Sequence, residues 1–469
     1  MRSRRLQAGL LLAACALAAQ LAHGTATIVI QNNDPPGVGF NDPTVAAPVG
    51  GNTGTTLGQQ RLIAFQAAAN IWGATLTSSV TIVVDATWEA LTCTATSAVL
   101  GSAGALSVFR DFTGAPVAGT WFPVVVANKI TGADQDPGAD IRARFNRNLG
   151  SPGCLTGTFF YLGIDNNHGA NVDLVAVLLH EFGHGLGFQT YTSGSTGAQL
   201  AGFPAIWDTF LLDTAQGLTW SAMTDAQRQT SAIGTTLVWS GANVVSAVPG
   251  VLSGAPEMVI SAPASLAGTL LVGTAAFGPP LANPGITGEV MPVVDTGLET
   301  GLACLPLSAA NAAAVNGKIA LVDRGTCGFT IKVATVQAAG AVGAIIVDNV
   351  PGSPPPGLGG TDPSITIPSV RITLADGLAL KNFLKFRSRT KSGLITTLRT
   401  NLAMLAGADA SNRPFMYTPN PFQGGSSVSH WDTRLTPNQL MEPSISADLT
   451  HSVVTPQDLT FQLLKDIGW

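Results

Sequence analysis

Residues 180–184 read His-Glu-Phe-Gly-His, and this pentapeptide constrains the fold more than any other feature of the chain. Two imidazoles four positions apart project from one face of a helix, close enough together to share one metal ion, whereas on a strand they would stand about 13 Å apart. Glu181 lies at the edge of that face, able to reach a water on the metal without binding the metal itself. The chain must therefore build a helix with an apolar stripe turned inward and a polar site face turned elsewhere. Val175, Leu179, Phe182 and Leu186 supply the stripe, Asn171 is the expected N-cap, and Gly187 can take the positive φ that ends the helix. With six His and six Glu in 469 residues, a chance match to this pattern is expected only about once in a thousand such chains.

Two histidines do not complete a catalytic zinc site, which ordinarily has three protein ligands and a water. In the commonest extended form of the motif a third His stands three residues after the glycine. Here that position is Thr190. The remaining histidines are His23, His168, His430 and His451, and composition alone does not choose among them.

Other features bound the setting. Residues 1–24 read as an export signal: basic MRSRR, an apolar run from Ala8 to Ala22, then small residues before cleavage. The run is too short to span a bilayer, for which about 20 apolar residues are needed. LAAC at residues 12–15 offers lipidation at Cys15 as a lesser alternative. Removing this segment, with its three arginines and no acid, takes the net charge from −5 to −8, which argues against nucleic acid or anionic lipid as a partner. No later apolar run reads as a membrane span. Four cysteines remain beyond the signal, and in an oxidising compartment they suggest two disulfides, with Cys93–Cys154 and Cys304–Cys327 the favoured pairing.

Along the chain, TIVIQ, SVTIVVDATW, FPVVVAN and ADIRARFN read as strands, and residues 57–76 as a helix. From about 255 to 395 short apolar strands alternate with Gly/Pro loops. Within that stretch residues 316–349 give strand (Lys318–Val322), turn, helix (Ile331–Ala339), glycine and strand (Ala344–Val347), a crossover joining parallel strands. The core VDRGTCGFTIKVATVQAAGAVGAIIV closely resembles the protease-associated (PA) domain family. A last helix is expected near the C-terminus, with Thr455 as N-cap and Asp458 three residues on.

A second resemblance addresses the third ligand. HEFGHGLGF, a long insertion and then SHWDTRLTPNQLMEP are similar to the leishmanolysin-type branch of the metzincin zinc metalloproteases. The resemblance implies His180, His184 and His430 as ligands of one Zn2+, Glu181 as general base, Gly187 as the turn glycine and Met441, eleven residues after His430, as the apolar floor of a Met-turn. It departs from the family in its few cysteines, in its unusually long insertion and in having no obvious propeptide. The expected fold class is α+β. A metzincin-like catalytic domain with a twisted sheet and active-site helix is split into residues 25–254 and 396–469, around an inserted α/β PA domain at 255–395. The expected function is that of an exported zinc-dependent endopeptidase, which hydrolyses peptide bonds within protein or peptide substrates through a zinc-activated water with Glu181 as general base. Structural calcium is left open. The alternative is an exported PA-domain binding protein with a non-catalytic metal site, against which the intact Glu181 speaks.

Overall fold

The computed structural model of the protein describes residues 25–294 and 301–469; the expected export signal, with Cys15, lies outside them. The chain opens with β1 (Ile28–Asn32), α1 (Leu57–Thr75), β2 (Ile82–Glu89) and β3 (Gly101–Ala105). A short ribbon, β4 (Val108–Phe109) with β5 (Phe122–Pro123), leads into α2 (Val124–Thr131), and β6 (Ile141–Asn146) follows. These strands form a sheet in the order β1-β2-β6-β3, parallel except for the antiparallel edge strand β3. Another ribbon, β7 (Phe160–Tyr161) with β8 (Val172–Asp173), delivers the chain into α3 (Leu174–Gly185), the helix of the histidine motif.

Helices α1 and α3 pack side by side over the sheet. Phe65 of α1 sits 4.8 Å from the Phe145 ring of β6 and 6.1 Å from Phe182 of α3, and Trp72 Nε1 donates to Leu179 O at 3.1 Å. Phe65, Ala69 and Trp72 are buried, whereas Leu62 is 41% exposed, so the inward stripe of α1 is built partly from alanines. Every residue of α3 is buried, so its polar residues have to be satisfied from within the fold.

Three local expectations are corrected. FPVVVAN is a strand only at Phe122–Pro123 and then a helix. Pro123 cannot donate to a ladder, Gly132 closes the helix at φ +66°, and burial of the first turn outweighs the β-preference of three valines. Asp173, not Asn171, caps α3, accepting from Val175 N at 2.8 Å and Ala176 N at 3.1 Å, because Val172 is already paired in the β7–β8 ribbon. The last helix, α9 (Thr460–Ile467), starts five residues later than Thr455. Asp458 Oδ1 takes the Thr460 N–H at 2.7 Å, while Gln457 N donates back to Val454 O in a turn.

After α3 come β9 (Leu211–Asp213), β10 (Leu218–Thr219), α4 (Asp225–Ser231), β11 (Leu237–Trp239) and α5 (Ala242–Val251). The chain then leaves this body along β12 (Gly254–Ala262). Next are β13 (Gly268–Leu271), β14 (Gly273–Thr274), β15 (Ile286–Pro292), α6 (Ala309–Val315), β16 (Ile319–Asp323), α7 (Phe329–Ala338), β17 (Gly343–Val347), β18 (Ser369–Ile372) and α8 (Leu374–Leu384). The chain returns along β19 (Ile395–Leu405). Together these strands make one eight-stranded sheet, in the order β13-β12-β19-β15-β16-β17-β18-β14, with β15 to β18 parallel. Alternation along β16 and β17 divides its core. Ala320, Val322, Ala344 and Ile346 face α7, while Ile319, Leu321, Ile345 and Val347 join Leu380 and Leu384 of α8.

The outgoing and returning strands are antiparallel partners, beginning at Gly254 opposite Leu405. Both crossings into this sheet therefore lie at one place on the first body, the geometry an inserted domain needs. Cys93 bonds Cys154 and Cys304 bonds Cys327, so each cross-link stays within one body. Among the described residues no helix is long and apolar enough to cross a membrane.

Candidate metal centre

His180 and His184 project from α3, and His430 reaches them from the segment that follows the inserted sheet. Their Nε2 atoms are mutually 3.2, 3.2 and 3.3 Å apart. Each Nδ1 lies against a backbone carbonyl: His180 on Leu440 O at 2.7 Å, His184 on Phe188 O at 2.8 Å and His430 on Ser426 O at 2.8 Å. A carbonyl only accepts, so each Nδ1 carries the proton and each Nε2 turns a lone pair inward. Three lone pairs aimed at one another repel unless a cation sits among them. A tetrahedral ion with Zn–N bonds of about 2.0–2.1 Å needs donor atoms about 3.3–3.4 Å apart, close to the observed spacing. Among the described residues this is the one group of three or more candidate ligands close enough to share an ion.

Burial pushes all three rings toward the neutral, ligand-competent form. His180 falls to about 4, and burial with the neighbouring His180 takes His184 down to about 3. Burial, with His184 and His180 beside it, carries His430 well below the ordinary imidazole value. Desolvation also lifts the Glu181 carboxyl to about 8, opposed by a hydrogen bond from the Ala103 backbone; a divalent cation nearby would favour its ionised form. Edge strand β3 thus supports the Glu181 carboxyl directly. A Cβ at Gly101 would stand 2.9 Å from Glu181 Cγ, so the strand approaches this closely only because residue 101 is glycine. No sequence signal marked Gly101 or Ala103.

The surroundings explain the rest of the motif. Gly187 has φ +120°, and Gly187 N donates to His184 O while Phe188 N donates to Gly183 O, both at 3.0 Å, which closes the helix and turns the chain. Met441 is fully buried, and a Cβ at Gly183 would meet its Sδ at 2.8 Å. Gly183→Ala in a helix ordinarily stabilises by about 0.8–1.0 kcal/mol. Here overpacking should reverse the sign, to a loss of about 1–3 kcal/mol in denaturant unfolding; a gain would show that Met441 yields freely. Thr190, where the compact motif carries its third His, donates its hydroxyl to Asp208 Oδ1 at 2.6 Å and its N–H to Ser429 Oγ at 3.3 Å. It thus helps seat the residue before His430. The other two candidate histidines stand apart from the triad: His168 contacts Asn171 O and Ala447 O, and His451 Nε2 lies 3.0 Å from Asp173 Oδ2.

The triad opens onto a cleft of about 960 Å³. One wall is Thr96–Ala103 and the other comes from Phe422, Ser426–Ser427 and Pro443–Ala447. Among the described residues its lining includes no Lys or Arg, and its carboxylates are Asp173 and Glu181.

Comparison with known proteins gives one domain assignment: residues 286–380 match the PA domain family, and a PA domain is present there. Leucine aminopeptidase 2 of Arthroderma otae is 48% identical over 61 residues, 13% of this chain and 12% of that protein. A PRADC1-like protein of Drosophila melanogaster is 50% identical over 44 residues, 9% of this chain and 22% of its own length. The chain thus spans less than a quarter of either curated relative. Among solved structures, a zinc aminopeptidase from Bacillus subtilis is 24% identical, covering 32% of this chain and 30% of its own, with a TM-score of 0.23. That score does not describe a shared overall fold.

Proposed function

We propose that this protein is an exported zinc endopeptidase of the leishmanolysin-like metzincin type, with a PA domain inserted into its catalytic domain. The observation that carries the reading is the convergence of three inward Nε2 lone pairs beside a glutamate on the same helix. His180, His184 and His430, which line the cleft, would hold the ion. Zinc bound there supplies Lewis acidity toward a substrate carbonyl and a water. Glu181, buried beside the three imidazoles, would accept the proton of the attacking water and return it to the departing amine. Edge strand β3, whose Ala103 backbone already bonds Glu181, lies along the cleft, where an extended peptide could add as a further strand through its remaining edge groups.

Cleavage within a chain, rather than at its end, is supported by the lining. A terminal ammonium needs a free carboxylate, yet Asp173 is taken by the α3 cap and His451, and Glu181 is the base. A terminal carboxylate needs a cation, and among the described residues no Lys or Arg lines the cleft. The relative named a leucine aminopeptidase favours exopeptidase action, but over 12% of its own length. Export is supported by the two disulfides, which persist in oxidising compartments. The PA domain would guide substrate toward the cleft or bind peptide.

The test is metal analysis with hydrolysis of casein, of an end-blocked peptide and of a leucine anilide. One zinc per chain, cleavage of the first two substrates, loss with a chelator and return with zinc are expected. Zinc without cleavage of any substrate would favour the non-catalytic alternative; cleavage of the anilide alone would favour the exopeptidase.

A further inference from the structure

We propose that Asp458 is a positioning residue for the metal centre, fixing through Leu440 the carbonyl that holds the His180 ring. The inference rests on the zinc reading above. The three ligand histidines are not oriented alike. His184 donates to Phe188 O, four residues on, and His430 to Ser426 O, four residues back, so each acceptor is held by the turn that carries the ligand. His180 instead donates to Leu440 O, 260 residues away. An acceptor that remote stays in register only if something anchors it.

The anchor is visible. Asp458 Oδ2 accepts the Leu440 N–H at 2.7 Å and Oδ1 accepts the Thr460 N–H at 2.7 Å. One carboxylate therefore ties the first turn of α9 to the residue whose carbonyl, at 2.7 Å, receives His180. Asp458 is buried, and a buried carboxylate at that place has to be held by such donors. Beside it, Gln439 Oε1 accepts the Leu459 N–H at 3.0 Å and Gln439 N donates to Glu442 Oε1 at 2.9 Å. These bonds close the same seam without touching Leu440. Outer partners of this kind set the orientation of a ligand ring, and their loss typically costs about 10–100-fold in metal affinity.

The experiment measures zinc affinity by chelator competition, the visible spectrum of the cobalt form and the melting temperature of the metal-free protein. The variants are Asp458→Asn, Asp458→Ala and, as a control on the seam, Gln439→Ala. Both Asp458 variants are expected to bind zinc about 10–100-fold more weakly, with shifted cobalt bands, whereas Gln439→Ala lowers the melting temperature and leaves affinity and spectrum as in the wild type. Wild-type affinity and spectrum in the Asp458 variants, with lower melting alone, would make the residue merely structural and overturn the inference. An equal loss of affinity in Gln439→Ala would do the same. If Asp458→Ala does not fold, the Asn variant decides, because its NH2 group must meet one of the two N–H donors, Leu440 or Thr460, that the carboxylate accepts. A wild type that binds no zinc overturns the functional reading itself, whereas zinc-binding wild type with an unaltered Asp458→Asn overturns only this step.

Discussion

Glu181→Gln should lower kcat for peptide hydrolysis by about 10²–10⁴-fold while the protein still carries its zinc. Gln has the size of Glu and keeps an oxygen that can accept the hydrogen bond from the Ala103 backbone. The helix, the close approach of Gly101 and the three imidazoles then stay in place. What the amide lacks is a basic site, so the proton of the attacking water has nowhere to go. The residue is buried and bulk water does not readily take over the proton. KM should change little, because in the proposed binding mode the walls of the cleft and β3, not Glu181, would hold the extended peptide. The pH profile bears on the same point. In the folded protein the acidic limb of kcat/KM reports the proton on this carboxyl, which burial raises and a bound cation lowers, so the limb should vanish from the residual activity of the variant. Full hydrolysis by Glu181→Gln would sink the mechanism.

The sequence made part of this centre legible and hid the rest for physical reasons. The helix of residues 174–185 could be read because apolar spacing, a nearby cap and a closing glycine all act within one segment, and the crossover around Ile331 for the same reason. Its cap could not be placed to the residue. Asn171 and Asp173 are both good caps in isolation, and only the pairing of Val172 with Phe160 selects the second. Val124–Val126 show the same override, where burial and two breakers outweigh β-preference. The third histidine lies 246 residues from His184, beyond any periodicity, so only a family resemblance pointed to it. The supporting shell is less legible still. Leu440, Phe188 and Ser426 act through backbone carbonyls, which every residue has, and Gly101 matters for the side chain it lacks. Asp458 stood out as a helix-start residue, but its second bond, to Leu440, exists only in three dimensions.

His430→Ala is the variant that tests the assignment of the third ligand, and it should weaken zinc binding by more than the roughly 100-fold that even a strong outer-shell loss costs. Two imidazoles on one helix leave a site that water must complete. The consequence reaches past the metal, because His430 comes from the C-terminal segment while His180 and His184 come from α3. Its backbone is tied in locally, with Tyr417 N donating to His430 O and Trp431 N donating to Met441 O, both at 2.9 Å. An ion bound by all three residues is therefore a clasp between two distant parts of the chain, and it stabilises the folded state by mass action. At free zinc a hundredfold above Kd the gain is about 2.7 kcal/mol, so the wild-type melting temperature should rise with added zinc and that of His430→Ala should not. His168→Ala and His451→Ala serve as controls, since His168 holds two loop carbonyls and His451 pairs with the cap of α3. Both should keep zinc, although His451→Ala should melt earlier, because Asp173 loses the partner that His451 provides. Undiminished zinc binding in His430→Ala, with loss in either control, would transfer the third ligand to that residue and dissolve the link between the segment that follows β19 and the metal.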